Sequence, residues 1–131
     1  MRQPEAAAAA AACGAGVRRA NIFDYGSLRA ALHGCEIGVN LATRLPGPKG
    51  RASDYRANDQ LRRLGTPVWV EACRDAGVAR VLQQSIALVN SGAGDEWADE
   101  DTTFATDDTL AGRAIGACRA MEGSVRSSAL D

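Results

Sequence analysis

The sequence has 131 residues and a formal net charge of −1, which predicts one domain and argues against a surface for general binding to nucleic acid or to an anionic membrane. Its hydrophobic fraction of 46% is ordinary for a globular protein, and no apolar run is long enough to cross a bilayer. Four scattered cysteines without a Cys-x-x-Cys motif, and a single histidine, argue against a zinc site and favour the reducing cytoplasm.

The chain starts with an alanine-rich segment over residues 1–15. Pro4 suits the first turn of a helix, residues 6–12 would continue it, and Gly14 would end it. The alternative is a low-complexity segment that is only nascently helical, because a short isolated helix is marginal in water. Gly14-Ala15-Gly16 follows this segment rather than a strand, so we interpret it as a turn and not as a dinucleotide-binding loop.

Three apolar runs predict the parallel strands of an α/β sheet: Val17 to Phe23, Glu36 to Ala42, and Arg80 to Val89. A short helix over Ser27 to His33 would join the first two strands. A mostly helical stretch over Arg51 to Ala76 would form the crossover between the second and third strands. The fold class is therefore predicted as α/β, an incomplete Rossmann-like three-layer sandwich with about three parallel strands flanked by helices.

The remaining segments are predicted from their turn and capping residues. Residues 43–50 form a loop, and Gly65-Thr66-Pro67 kinks or interrupts the long helical stretch. Residues 90–106 form an acidic loop, and a solvated loop is favoured over a divalent-cation site because the spacing does not match an EF-hand. Asp107 caps a final helix over Thr109 to Met121, and residues 123–131 are expected to fray.

The order and spacing of several segments resemble the middle of an NAD-dependent epimerase/dehydratase, an extended short-chain dehydrogenase/reductase. The segments that carry the resemblance are Val17–Asp24, Ser27–Cys35, Val39–Thr43, Asn58, Gly65-Thr66, Glu71-Ala72, Ala76–Val78, Gln83–Ala87 and Trp97–Glu100. They cover most of the chain. The resemblance implies a Rossmann-like sheet, NAD or NADP as the cofactor, and a small-molecule substrate, in many relatives a nucleotide sugar.

The resemblance also implies roles for individual residues. Asn21 and Ile22 stand where family members touch the adenine, and Leu41-Ala42-Thr43 matches the strand end that lines the dinucleotide. Asn58 matches an asparagine that supports this site from the following helix. Ser85 matches the serine that hydrogen-bonds the reacting oxygen of the substrate, although without the surrounding pattern a plain serine at a strand end would be favoured. No metal ligands are predicted.

The family's catalytic Tyr-x-x-x-Lys pair would follow Ser85, yet Tyr25, Tyr55 and the only lysine, Lys49, all precede it. Because a free tyrosine titrates at about pH 10, the family needs that lysine to make it a usable acid or base. The family's glycine-rich loop is also missing. We therefore interpret the chain as a truncated NAD(P)-dependent epimerase/dehydratase-like domain with little or no catalysis of its own.

Two further interpretations stay open beside this one. The first is a non-catalytic binding or interaction module that uses the same sheet, and the second is a fragment with no function of its own. The resemblance allows a homodimer through helices that follow Ser85. It does not distinguish NAD from NADP or identify the substrate.

Overall fold

The computed structural model describes residues 4–47, 51–87, 97, 99 and 110–131. In chain order, the elements are α1 (Pro4–Ala12), α2 (Tyr25–Leu32), β1 (Ile37–Asn40), α3 (Arg56–Gln60), α4 (Thr66–Asp75), β2 (Arg80–Gln83) and α5 (Leu110–Arg126). A 3-10 turn over Ala52–Tyr55 precedes α3, and a π-helical turn over Leu61–Gly65 joins α3 to α4. The described residues therefore form a mixed helix and strand structure.

Strands β1 and β2 are parallel neighbours, with Ile37 opposite Arg80 and Asn40 opposite Gln83. A parallel pair needs a long crossover connection, which here contains α3, the π turn and α4. This arrangement confirms the predicted unit of strand, helical crossover and parallel strand. Both strands are shorter than the predicted runs, and residues 88 and 89 of the second run lie outside the described residues.

One face of the sheet packs directly on α4, and Gly38 makes this close approach possible. A Cβ added at Gly38 would lie 3.1 Å from both Cys73 Sγ and Trp69 Cζ2. The core cluster at this contact consists of Leu28, Trp69, Val70, Ala72, Cys73, Val78 and Val81. Burial raises the pKa of the Cys73 thiol from its ordinary 9.0 to about 11, so this thiol stays neutral inside the core.

Helix boundaries follow the local chemistry of the sequence. Asp24 caps α2 by accepting a hydrogen bond of 3.2 Å from the backbone N–H of Ser27. Gly14 after α1 and Gly77 after α4 have φ of +82° and +79°, a conformation that glycine adopts without strain. The predicted helix of the alanine-rich segment is present as α1, and the predicted interruption near Gly65 takes the form of the π turn.

The predicted strand over Val17 to Phe23 is wrong, because these residues form coil and a turn. The backbone N–H of Asp24 donates to the carbonyl of Asn21 at 2.9 Å, and that of Phe23 donates to Asn21 Oδ1 at 3.2 Å. These bonds close a turn instead of a ladder. The described residues therefore contain two strands rather than about three.

The second face of the sheet is open to solvent. Ile37, Val39 and Leu82 point away from α4 and are 53%, 54% and 54% exposed. Helices α2 and α5 both pack on α4, and α5 also contacts β2. Within the described ranges the helices thus cover one side of the sheet, and the predicted three-layer sandwich is not seen.

The end of the chain packs against the domain instead of fraying. Helix α5 continues to Arg126, beyond the predicted end at Met121. Leu130 packs against the core, and the backbone N–H of Val81 donates to an oxygen of Asp131 at 2.7 Å. The predicted cap at Asp107 and almost all of the acidic loop over residues 90–106 lie outside the described residues. No helix in the described part of the chain is long and apolar enough to span a membrane.

Candidate functional site

A groove of about 530 Å³ lies at the carboxyl end of β1. We call it the strand-end groove. Its walls are residues 19–23, residues 42–44, and Ala57, Gln60 and Leu61 from α3 and the π turn. Ligands of parallel α/β sheets bind outside the carboxyl ends of the strands, so this groove has the position expected of a binding site.

Four of the predicted cofactor-binding residues line this groove, namely Asn21, Ile22, Ala42 and Thr43. Leu41 does not line it and is 64% exposed. Asn58 is buried and lies behind the wall that Thr43 forms. The structure therefore brings together two sequence segments that lie far apart in the chain.

Asn58 holds the strand-end segment in place. Its Oδ1 accepts hydrogen bonds from the hydroxyl of Thr43 at 3.1 Å and from the backbone N–H of Arg44 at 2.8 Å. Because Asn58 is only 2% exposed, these bonds are shielded from competing water. Asn58 thus anchors residues 43 and 44.

Asn40 is a second anchor, which the sequence analysis did not single out as a site residue. It is buried at the end of β1, where its Nδ2 donates to Gln83 Oε1 at 2.9 Å. Its Oδ1 accepts from the backbone N–H of Ala42 at 3.0 Å. The bonds join the ends of β1 and β2 and shape the chain that enters the groove. An asparagine inside an otherwise apolar run was the available signal, since a buried amide needs partners.

The opposite wall of the groove is a structured turn. Asn21 donates its backbone N–H to Ser27 Oγ at 3.0 Å, and its own Oδ1 accepts from Phe23. Ile22 rests on Gly65, where an added Cβ would lie 3.1 Å from Ile22 Cγ1. Residues 21–23 are therefore held against the π turn, although they do not belong to the sheet.

A second cavity of about 580 Å³ adjoins the strand-end groove, and we call it the loop cavity. It is lined by residues 44–47, Ser53, Asp54, Arg56, Ala57 and Gln60. Arg44, Ala57 and Gln60 line both cavities. The two cavities thus share a border at these three residues, and together we call them the depression at the end of β1.

Ser85 lies just beyond β2 and is half-buried. Its hydroxyl donates a hydrogen bond to Glu122 Oε1 on α5, and the other oxygen of Glu122 lies 3.9 Å from Arg126 Nη2. Ser85 does not line the strand-end groove. Glu122 could not be identified from the sequence, because only the packing of α5 brings it to the strand end.

The Cys118 thiol lies close to Ser85. Burial raises its pKa, while the nearby Arg62 guanidinium and a hydrogen bond with Ser85 act in the opposite direction. Because burial dominates, the thiol stays protonated and is a poor nucleophile. Within the described ranges, no three His, Cys, Asp or Glu side chains form a group that could hold a metal ion.

No protein-family model matches this chain, and no curated protein matches it at a significant level. A functional assignment therefore depends on the groove and on the chemistry of its walls.

Proposed function

We propose that the chain is a Rossmann-like domain, related to the NAD(P)-dependent epimerase/dehydratases, that binds the adenosine part of a nucleotide in the strand-end groove. One observation carries this proposal. Asn21, Ile22, Ala42 and Thr43, assigned to the cofactor from sequence, line a single groove. Nothing in their spacing along the chain requires such an arrangement.

The walls of the groove suit an adenine ring. Ile22, Phe23 and Ala42 offer apolar surface, while Thr43 and Gln60 offer groups that can hydrogen-bond the edge of a base. The volume of about 530 Å³ falls within the roughly 300–1,000 Å³ of typical small-molecule sites. A flat ligand with an apolar face and polar edges is the chemistry that such walls favour.

The enzymes that the chain resembles catalyse oxidoreduction or epimerisation of a nucleotide sugar or a similar small substrate. We place the chain in the cytoplasm. NAD or NADP, when bound, supplies the hydride acceptor or donor. Ser85 would hydrogen-bond the reacting oxygen of the substrate, and its present partner is Glu122. Residues 86–131 contain neither tyrosine nor lysine, so we expect this chain by itself to bind the nucleotide without transferring hydride.

Calorimetric titration with adenosine tests the binding proposal. We expect saturable binding to the native chain and at least a roughly tenfold loss in Ala42→Phe, because the added ring would occupy the groove without disturbing the core. Ala42 is exposed, so this variant should keep the native circular dichroism spectrum.

The matched control is Ala30→Phe, which adds the same ring to an exposed position beside a different cavity, that of Tyr25 and Asp75. It should bind adenosine as the native chain does. Absence of adenosine binding to the folded native chain, or an equal loss in both variants, would contradict the proposal.

A further inference from the structure

The depression at the end of β1 carries an excess of positive charge. Arg19 lines the strand-end groove, Arg56 lines the loop cavity, and Arg44 lines both. In the part of the chain that the structure describes, none of the three guanidinium groups takes part in an ion pair or hydrogen bond. This local charge is opposite in sign to the net charge of −1 of the whole chain.

The only carboxylate among the described residues that line the two cavities is Asp54. Its Oδ2 accepts a hydrogen bond of 2.8 Å from the backbone N–H of Arg51, where it closes the capping box of the 3-10 turn. Asp54 therefore has a structural role within its own turn. One engaged carboxylate against three guanidinium groups leaves a net attraction for an anion.

Arg44 is well placed to bind such an anion, because its backbone is fixed. Its N–H donates to the buried Oδ1 of Asn58 at 2.8 Å, and the preceding Thr43 is held by the same oxygen. A fixed backbone reduces the entropy that a binding residue loses when its ligand arrives. The planar guanidinium group then offers paired donors that match the oxygens of a phosphate.

We propose that the ligand of the strand-end groove is an adenosine phosphate whose phosphate is bound by Arg44, with Arg19 and Arg56 on either side. This inference rests on the proposed function, since it takes the adenosine to lie in the strand-end groove. It assigns the phosphate to arginine side chains, whereas the nucleotide-binding enzymes that the chain resembles use a glycine-rich loop. Arg44, at the border of the two cavities, is thus the residue that recognises the phosphate.

Calorimetric titrations with adenosine, AMP, ADP and inorganic pyrophosphate test this assignment. We expect AMP and ADP to bind the native chain at least about tenfold more tightly than adenosine, the gain typical of charged hydrogen bonds. Arg44→Gln should abolish that gain, so that AMP and ADP bind this variant no more tightly than adenosine does. Arg44→Lys should keep part of it, because lysine retains the charge but not the planar pair of donors.

Arg29→Gln is the matched control, because it removes one positive charge from an exposed residue that lines the separate cavity beside Tyr25. This variant should still bind AMP and ADP more tightly than adenosine, by the same factor as the native chain. Arg56→Gln provides a second test and should reduce the gain by a smaller factor than Arg44→Gln. Added salt should also reduce the gain, since exposed charges are screened within about 8–10 Å at moderate ionic strength.

The results separate this inference from the proposed function. Equal affinities for adenosine and AMP, or equal losses in Arg44→Gln and Arg29→Gln, would overturn the phosphate assignment while adenosine binding still stood. Binding of pyrophosphate that depends on Arg44, without any binding of adenosine, would support the anion site and overturn the adenosine site. Failure of all four ligands to bind would overturn both.

Discussion

Tyr25 and Asp75 form a contact between two helices that depends on the protonation of both side chains. The Tyr25 hydroxyl at the start of α2 donates to Asp75 Oδ2 at the end of α4 at 2.8 Å. This hydrogen bond is the main reason why the pKa of Tyr25 is raised and that of Asp75 is lowered, and Arg74 lowers the latter further. The bond needs a neutral tyrosine and an ionised carboxylate.

We predict that Tyr25→Phe lowers Tm at neutral pH and has a smaller effect at both extremes of pH. Since the pKa of Asp75 is lowered on folding, its contribution is present above the unfolded pKa and is lost as pH falls through the folded pKa. Since the pKa of Tyr25 is raised, its contribution is present below the unfolded pKa and is lost as pH rises. Thermal unfolding of both proteins across the pH range measures the difference.

Tyr55→Phe provides the control for this experiment. Tyr55 is half-buried, and its hydroxyl has no hydrogen-bond partner in the described part of the chain. Its replacement should change Tm little and equally at every pH. A Tyr25→Phe effect that was also independent of pH would show that the lost hydroxyl acts through packing instead of through the carboxylate.

At the scale of elements, the contact between β1 and α4 depends on one glycine. We predict that Gly38→Ala destabilises the fold by about 1–3 kcal/mol, because its Cβ would lie 3.1 Å from both Trp69 and Cys73. Urea unfolding followed by circular dichroism measures this free energy.

The same substitution at an exposed position of a helix should have the opposite effect. Gly123 lies inside α5, and an added Cβ there would meet nothing within 4 Å. Gly123→Ala should therefore stabilise the fold by about 0.5–1 kcal/mol, because it removes conformational freedom from the unfolded chain. If both substitutions stabilised the protein, the contact at Gly38 would have to be looser than the structure has it.

Elements with strong local patterns were predictable from the sequence. The apolar run of β1, the capped helix α2 and the long crossover all carry signals within a few residues. The segment Val17 to Phe23 also has an apolar composition, but the turn chemistry of Asn21 and Asp24 prevails over it. Composition alone therefore did not show that Ile22 packs on Gly65 instead of in a sheet.

Features that depend on tertiary packing were not predictable. The final helix was expected to end at Met121 and the residues after it to fray. The glycine at position 123 costs a helix only about 1 kcal/mol, and packing of Val125 and Leu130 on the core offsets this cost. The contact between Ser85 and Glu122 exists only because α5 crosses the strand end. Of the residues assigned to the cofactor from sequence, Asn21, Ile22, Ala42 and Thr43 line the groove and Leu41 does not. The arginines could be identified only from the lining of the cavities.

At the scale of the whole molecule, the open face of the sheet is the surface most prone to association. Ile37, Val39 and Leu82 form a contiguous apolar surface on two parallel strands, and such surfaces promote association. We predict that Leu82→Lys reduces both the fluorescence of a bound hydrophobic dye and the light scattering of concentrated samples. Its free energy of unfolding should change by no more than about 0.5 kcal/mol, because Leu82 is exposed.

Leu64→Lys is the control for this prediction. Leu64 is 59% exposed, as Leu82 is at 54%, but it lies on the π turn and not on the sheet. Its replacement should reduce dye binding less than that of Leu82. A large loss of stability in Leu82→Lys would instead mean that this face is covered in solution.

The close contact between Gly38 and Trp69 also has a practical consequence for spectroscopy. The chain has two tryptophans, of which Trp69 is 5% exposed and Trp97 is fully exposed. Iodide in solution should therefore quench the red-shifted emission of Trp97 and spare the blue-shifted emission of Trp69. The remaining, unquenched fluorescence of Trp69 therefore reports whether α4 still packs on the sheet. No attached label is needed.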